Sequence, residues 1–97
     1  MTRRAARTDA NHAAIVTAAR AVGAAVLDLH ALPGALDALI GFRGVLRLVE
    51  IKDGAKKPSA RKLTPAETET IALFVAVDCP VHVIASVDEL YQMLEII

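Results

Sequence analysis

The sequence predicts a single α/β domain in which a mixed β-sheet is flanked by helices, in the order α-β-β-β-α-β-α. Ninety-seven residues, 55% of them hydrophobic and 23% charged, are enough for one packed core. Apolar runs at helical spacing alternate with short β-rich runs, and no linker is long enough to separate two domains. We therefore expect residues 1–97 to form one domain, with residues 1–8 as a basic arm that frays from it.

The first helix and the first strand follow from residue spacing and helix-end signals. Apolar residues at helical spacing predict a helix over residues 9–22. Thr8 or Asp9 is suited to cap its start, and Gly23 suits the position just past its end. The apolar run over residues 24–30 then predicts the first strand.

Residues 35–41 and 45–53 form two further β-rich runs and predict a hairpin. The sequence allows either a two-residue turn at Phe42–Arg43 or a four-residue loop around it. The first pairs Asp37 with Leu48, and the second places Asp37 directly opposite Glu50.

The second half of the chain has two clear helix starts. Thr64-Pro65-Ala66-Glu67 combines a capping hydroxyl, a first-turn proline and a glutamate three residues after the cap, and predicts a helix that ends near Val77. Residues 81–85 predict the fourth strand. Ser86 and Glu89 predict a second capping box, which opens the last helix. Residues 54–62 are expected to form a cationic loop.

Charge is unevenly distributed along a chain whose formal net charge is zero. Residues 1–62 hold all eleven Lys and Arg residues and five acids, a net charge of +6. Residues 63–97 hold six acids and no Lys or Arg, a net charge of −6. Such polarity gives a neutral protein a face that attracts phosphates, although chance segregation on a solvated surface would look the same.

Several classes of protein are excluded or disfavoured by the composition. Cys79 is the sole cysteine, so an intrachain disulfide is excluded, and no Cys/His spacing matches a structural zinc module. No apolar run approaches the ~18 residues of a membrane span. The basic N-terminal residues lack the apolar core of a signal peptide, so we expect a cytoplasmic protein without membrane contact.

Asp37, Glu50 and Lys52 are the main candidates for chemistry. Side chains alternate along a strand, so Glu50 and Lys52 share a face, and either odd hairpin register adds Asp37 to that face. Two acids on an apolar strand are explained by a hard divalent cation such as Mg²⁺. Lys52 would then orient or activate a water and stabilise negative charge. The alternative is an internal salt-bridge cluster without a catalytic role.

Three blocks of the chain resemble the PD-(D/E)XK nuclease superfamily, and within it the small VRR-NUC-type (virus-type replication–repair) nucleases of phages and prophages. The blocks are Pro33-Gly34-Ala35-Leu36-Asp37, Leu48-Val49-Glu50-Ile51-Lys52 and Leu63-Thr64-Pro65-Ala66-Glu67. The likeness covers nearly the whole chain and includes Asp9-x-Asn11. It departs from the family pattern at Leu36, where relatives have Pro, and at Glu67, where they often have Gln.

This resemblance implies a PD-(D/E)XK-like core and Mg²⁺- or Mn²⁺-dependent hydrolysis of nucleic-acid phosphodiesters. Asp37, Glu50 and the backbone carbonyl of Ile51 would be metal ligands, and Lys52 would serve the attacking water. Asp9 is the nearest match to an acid on the first helix of many relatives, but it also sits where a helix cap belongs. Glu67 is either an extra ligand or simply the acid of the capping box.

The expected substrate is DNA, and the resemblance favours branched or structured DNA processed during phage replication or recombination in a bacterial cell. The candidate phosphate contacts are all cationic: Lys56, Lys57, Arg61 and Lys62 in the loop, and Arg3, Arg4 and Arg7 in the N-terminal arm. A chain this short has little surface for a separate DNA-reading domain, so we expect a homodimer or higher oligomer. The alternatives are a catalytically inactive nuclease-like module that binds DNA or protein, and a small α/β assembly protein.

Overall fold

The computed structural model describes residues 10–32 and 36–97. Within these ranges the order is α-β-β-β-α-β-α, as predicted. The elements are α1 (His12–Ala21), β1 (Ala25–Asp28), β2 (Ala38–Phe42), β3 (Val45–Ile51), a short 3₁₀ helix (Pro58–Arg61), α2 (Pro65–Val75), β4 (Val81–Ile84) and α3 (Val87–Met93). In the described part of the chain, every helix is too short or too polar to cross a membrane.

The four strands form one mixed sheet in the spatial order β1-β2-β3-β4. The pairs β1–β2 and β2–β3 are antiparallel, and β4 lies parallel to β3. The connection from β3 to β4 runs through the 3₁₀ helix and α2, as a parallel pair requires. The predicted mixed sheet flanked by helices is confirmed.

The hairpin turn lies one residue later than the predicted Phe42–Arg43 turn. Phe42 pairs with Val45, so the two-residue turn consists of Arg43 and Gly44. Both have positive φ values, 50° and 82°, which match the primed turns that suit the twist of a hairpin. The register that results pairs Ala38 with Val49 and is the one that the four-residue loop predicted.

The core lies between one face of the sheet and the helices α1 and α3. Its largest fully buried aliphatic side chains include Ile15 of α1, Ile40 of β2, Ile51 of β3 and Leu90 of α3. By contrast, α2 contributes no fully buried residue, and its Leu73 is 69% exposed. The opposite face of the sheet therefore retains a large exposed apolar area.

Helix α1 begins later than predicted, at His12, with Asn11 at the capping position. The Asn11 side chain makes no capping bond and instead donates to the backbone oxygens of Lys52 and Ala85, at 3.0 and 2.8 Å. The helix start is thereby tied to the ends of β3 and β4. The proposed caps Thr8 and Asp9 lie outside the described residues.

The two later helix starts agree with their capping signals. At α2 both bonds of the capping box between Thr64 and Glu67 are present. At α3 the hydroxyl of Ser86 accepts from the Glu89 amide, but the Glu89 carboxylate accepts from the Ala85 amide instead of the Ser86 amide. The second capping box is therefore only half formed, because Glu89 reaches one residue further back to the end of β4.

Candidate functional site

The hairpin brings Asp37 next to the end of β3. Asp37 lies one residue before β2, and its backbone oxygen continues the β1–β2 ladder by accepting from the Leu29 amide at 2.8 Å. Extending the β2–β3 register by one residue places Asp37 opposite Glu50. The Asp37 carboxylate accepts from the Ile51 amide at 2.8 Å. The Asp37 carboxylate thus accepts the hydrogen bond that a backbone carbonyl would accept if the β2–β3 pairing continued. This bond holds the Asp37 side chain against β3.

Glu50 is the most deeply buried charged residue among those described, with 2% of its surface exposed. Burial raises its pKa to about 9, helped by a hydrogen bond with Glu67 and by repulsion from Asp37. The raised pKa means that Glu50 is protonated at neutral pH when no cation is near. A divalent cation would displace that proton and restore the carboxylate.

Lys52 shares the face of Glu50 and connects it to α2. Its ammonium nitrogen is 3.4 Å from a Glu50 oxygen and donates to Glu67 at 2.8 Å. Burial would lower the pKa of Lys52, but the hydrogen bond and charge of Glu67 outweigh it, and the pKa is raised. Lys52 is therefore a persistent cation, suited to hold a polar group or stabilise negative charge rather than to accept a proton.

Glu67 belongs both to the helix cap and to this cluster. One of its oxygens accepts from the Thr64 amide and from the Lys52 ammonium, each at 2.8 Å. Burial opposes ionisation of Glu67, but hydrogen bonds from Glu50, Lys52 and Thr64 outweigh it and lower the pKa. The capping interpretation is confirmed, and Glu67 additionally lies within reach of the site.

Asp37, Glu50 and the Ile51 carbonyl suit a hard divalent cation. Glu50 and Glu67 both contact the Lys52 ammonium, and Asp37 repels the charge of Glu50, so the cluster holds three negative charges against one positive charge when all three carboxyls are ionised. The repulsion from Asp37 that raises the pKa of Glu50 is the interaction that a cation between them would reverse. Oxygen donors of this kind are those that Mg²⁺ and Mn²⁺ prefer.

A second polar cluster lies beside the first and was missed by sequence reasoning. Nε2 of His12 is 3.1 Å from one Asp28 oxygen, and Nδ1 of His30 is 2.6 Å from the other. The His12 and His30 rings meet edge to face at 5.2 Å. Burial opposes ionisation of Asp28, but hydrogen bonds from His30 and His12 lower its pKa to about 2. His12 is 6% exposed and forms the buried centre of this cluster.

The two clusters meet at His12. Its Nδ1 lies 4.0 Å from an Asp37 oxygen, on the other side of the ring from Asp28. His30 is linked to Asp37 through Asp28 and His12. The spacing of Asp28 and His30 on the chain was the available signal, since residues two apart can act together at a strand end.

The predicted cationic residues of the loop lie on the segment that connects β3 to α2. Residues 54–62 contain the 3₁₀ helix instead of the open loop expected. Lys56, Lys57 and Lys62 are exposed, and Arg61 is half-buried. The segment is anchored just after Lys52. There, the Gly54 amide donates to the Ala85 oxygen, and an added Cβ would lie 2.5 Å from that oxygen. Asp9 and the arm residues Arg3, Arg4 and Arg7 lie outside the described residues.

Comparison of the chain with protein-family models, with curated proteins and with solved structures gives no match to any of them.

Proposed function

We propose that this chain is a Mg²⁺- or Mn²⁺-dependent nuclease that hydrolyses DNA phosphodiester bonds, with a PD-(D/E)XK core of the VRR-NUC type. The juxtaposition of Asp37, Glu50 and Lys52 at the end of one hairpin carries this proposal. Two acids and a persistently charged lysine meet the needs of phosphoryl chemistry, which are positioning and charge stabilisation. The preference for branched or structured DNA comes from the sequence resemblance alone.

Each residue has a distinct part in the proposed reaction. Asp37, Glu50 and the Ile51 carbonyl would hold the cation, which would supply Lewis-acid activation of the scissile phosphate and of water. Lys52 keeps its proton, orients the attacking water and stabilises the negative charge that develops on the phosphate. Glu67 fixes the Lys52 ammonium by a 2.8 Å hydrogen bond, so it acts as a positioning residue rather than as a ligand.

DNA would lie along the cationic segment that follows Lys52. Lys56, Lys57 and Lys62 are exposed on the chain between β3 and α2, close in sequence to the proposed catalytic residues. Contacts of this kind go to phosphates, are largely independent of sequence and weaken as salt is raised. Binding that is tight at low salt and lost at high salt is therefore expected.

We also propose a homodimer or higher oligomer that acts in the cytoplasm of a bacterial cell carrying a phage or prophage. A second copy would cover the apolar sheet face left open by α2, where Leu27 of β1 and Leu46 of β3, on either side of β2, are 58% and 70% exposed. Apolar patches of this kind are uncommon on monomers. Gel filtration coupled to light scattering measures the mass of the assembly. The mass of a monomer at working concentration would contradict this proposal.

Cleavage of plasmid and branched DNA with Mg²⁺ or Mn²⁺ tests the proposed reaction. Wild-type protein should cleave only with metal, and Asp37→Ala or Lys52→Ala should abolish cleavage. Arg43→Ala, in the exposed hairpin turn at the far end of β3, is the matched control and should leave cleavage unchanged. Metal-independent cleavage, or full activity in Lys52→Ala, would contradict the assignment.

One observation favours a second candidate, a nuclease-like module that binds DNA or protein without hydrolysing it. Lys52 is fully engaged by Glu67 and Glu50, as in a structural ion-pair network. In that case the protein should retain salt-sensitive DNA binding but show no cleavage with either metal. Binding without cleavage by wild-type protein would therefore select the module, and metal-dependent cleavage would select the enzyme.

A further inference from the structure

We propose that His12, Asp28 and His30 bind one divalent transition-metal ion, with Zn²⁺ as the best-suited ion, at a site separate from that of Asp37 and Glu50. One candidate donor atom from each of the three side chains lies within 4.8 Å of the others. This site does not depend on the proposed nuclease reaction, since none of its three residues belongs to the set assigned to phosphodiester hydrolysis.

The spacing of the donors is close to that of a metal-bound set. Ligand atoms about 2.1 Å from a tetrahedral Zn²⁺ are about 3.4 Å from one another. The Asp28 oxygens lie 3.1 Å from Nε2 of His12 and 2.6 Å from Nδ1 of His30. The distance from Asp28 to His12 is about 0.3 Å shorter than in such a set and that to His30 about 0.8 Å shorter, so the larger adjustment falls on the partly exposed His30. On binding of the ion, the two hydrogen bonds to Asp28 would be replaced by coordination.

The chemical type of the donors selects the ion. Two imidazole nitrogens and one carboxylate favour Zn²⁺, Co²⁺ or Ni²⁺ over Mg²⁺, which prefers oxygen ligands. Asp28 is ionised, because hydrogen bonds from the two histidines outweigh burial and lower its pKa. The site thus offers one carboxylate and two imidazole nitrogens, a common donor set for a zinc ion with an open position.

The surroundings of His12 match those of a metal-bound histidine. His12 is 6% exposed and lies in the first turn of α1, so its ring is held in place by packing. Its Nδ1 is buried without a hydrogen-bond partner and lies 4.0 Å from an Asp37 oxygen. A metal on Nε2 requires the proton to be on Nδ1, where it faces this carboxylate. Carboxylates in this position orient the ring and strengthen the metal–nitrogen bond.

The site is open to solvent on one side. It lies in a surface cleft of about 450 Å³ lined by His12, Asp28 and His30 together with Thr17 and Arg20. Three protein ligands leave at least one position of the ion for water or a small anion, and Arg20 provides a positive charge on the same cleft. The side chains of Asp28 and His30 are each about one third exposed, which gives the ion a path of entry.

Zn²⁺ titration of the chelator-treated full-length protein in excess Mg²⁺, followed by calorimetry, tests this site. Wild-type protein should bind one Zn²⁺ per chain, and Co²⁺ should give the visible absorption of a low-coordinate site. Asp28→Asn and His30→Ala should each weaken Zn²⁺ binding by more than about tenfold. Circular dichroism establishes that both variants are folded, and His30 is the safer of the two positions because it is partly exposed.

Two control variants distinguish this site from nonspecific binding to surface histidines and from the proposed nuclease site. His82→Ala removes a histidine of β4 outside the cluster and should leave Zn²⁺ binding unchanged. Glu50→Gln should abolish DNA cleavage but leave Zn²⁺ binding intact, so failure of the proposed nuclease reaction and failure of this site are distinguishable. Zn²⁺ binding that is absent in wild type, unchanged in both cluster variants or equally weakened by His82→Ala would overturn the inference.

Discussion

Glu50 should make the metal-free protein less stable as the pH rises through neutrality. Its folded-state pKa is about 9, far above the ordinary value of 4.5, because burial and neighbouring carboxylates disfavour its charge. The folded protein therefore keeps a proton that the unfolded chain releases, and the free energy of unfolding falls between pH 4.5 and pH 9. Each pH unit in this window costs about 1.4 kcal/mol, so the loss from pH 7 to pH 8.5 is about 2 kcal/mol.

Between pH 7 and pH 8.5 the effect of Glu50 on the free energy of unfolding is separated from the effects of the other groups whose pKa values are shifted. The lowered pKa values of Glu67 and Asp28 affect stability only below their ordinary values of 4.5 and 3.8. The raised pKa of Lys52 affects the free energy of unfolding only above pH 10.5. The lowered pKa of His82 affects the free energy of unfolding only below pH 6.5. Its effect has the opposite sign to that of Glu50, because the protein there loses stability as the pH falls. A slope above pH 7 is therefore assigned to Glu50.

Urea unfolding in a chelating buffer measures this slope, with Glu50→Gln as the decisive variant. Gln has nearly the same shape but does not titrate, so its stability should stay level from pH 7 to pH 8.5. Glu69→Gln, an exposed substitution of the same type on α2, is the matched control and should keep the wild-type slope. A level wild-type profile, or the same slope in Glu50→Gln, would refute the assignment of a buried protonated carboxyl at this position.

Three further substitutions test the elements that support the site. Thr64→Ala removes a confirmed capping bond to Glu67 and should cost about 1 kcal/mol in thermal unfolding, whereas Thr64→Ser should retain the cap. Gly54→Ala places a Cβ 2.5 Å from a backbone oxygen and should lower the melting temperature, whereas Gly41→Ala, with its nearest contact at 3.8 Å, should be tolerated. Leu90→Ala empties a fully buried position and should cost about 2–5 kcal/mol in urea unfolding, and a cost below about 1 kcal/mol would contradict the assigned core.

The fold was predictable because its signals are local. Helix caps, first-turn proline and hydrophobic spacing act within a few residues, so the capping box at Thr64 and the helix end at Gly23 agree with the structure. The hairpin turn was misplaced by one residue, because Phe42, Arg43 and Gly44 allow more than one turn, and the choice depends on which residues pair across the strands. How much of the sheet α2 covers depends on side-chain packing, which the spacing of hydrophobic residues along the chain does not predict.

The sequence predicts only the part of the candidate site that follows from the alternation of side chains along the strands. Glu50 lies on β3, Asp37 directly precedes β2 and Lys52 directly follows β3, and the register that brings them together follows from a short hairpin. His12 reaches the same region from α1 because Asn11 ties the helix start to the backbone of Lys52, a contact between residues 41 positions apart. Nothing in local spacing specifies such a contact. The position of His12 between Asp28 and Asp37 therefore joins the two polar clusters in space, an arrangement that only the folded chain reveals.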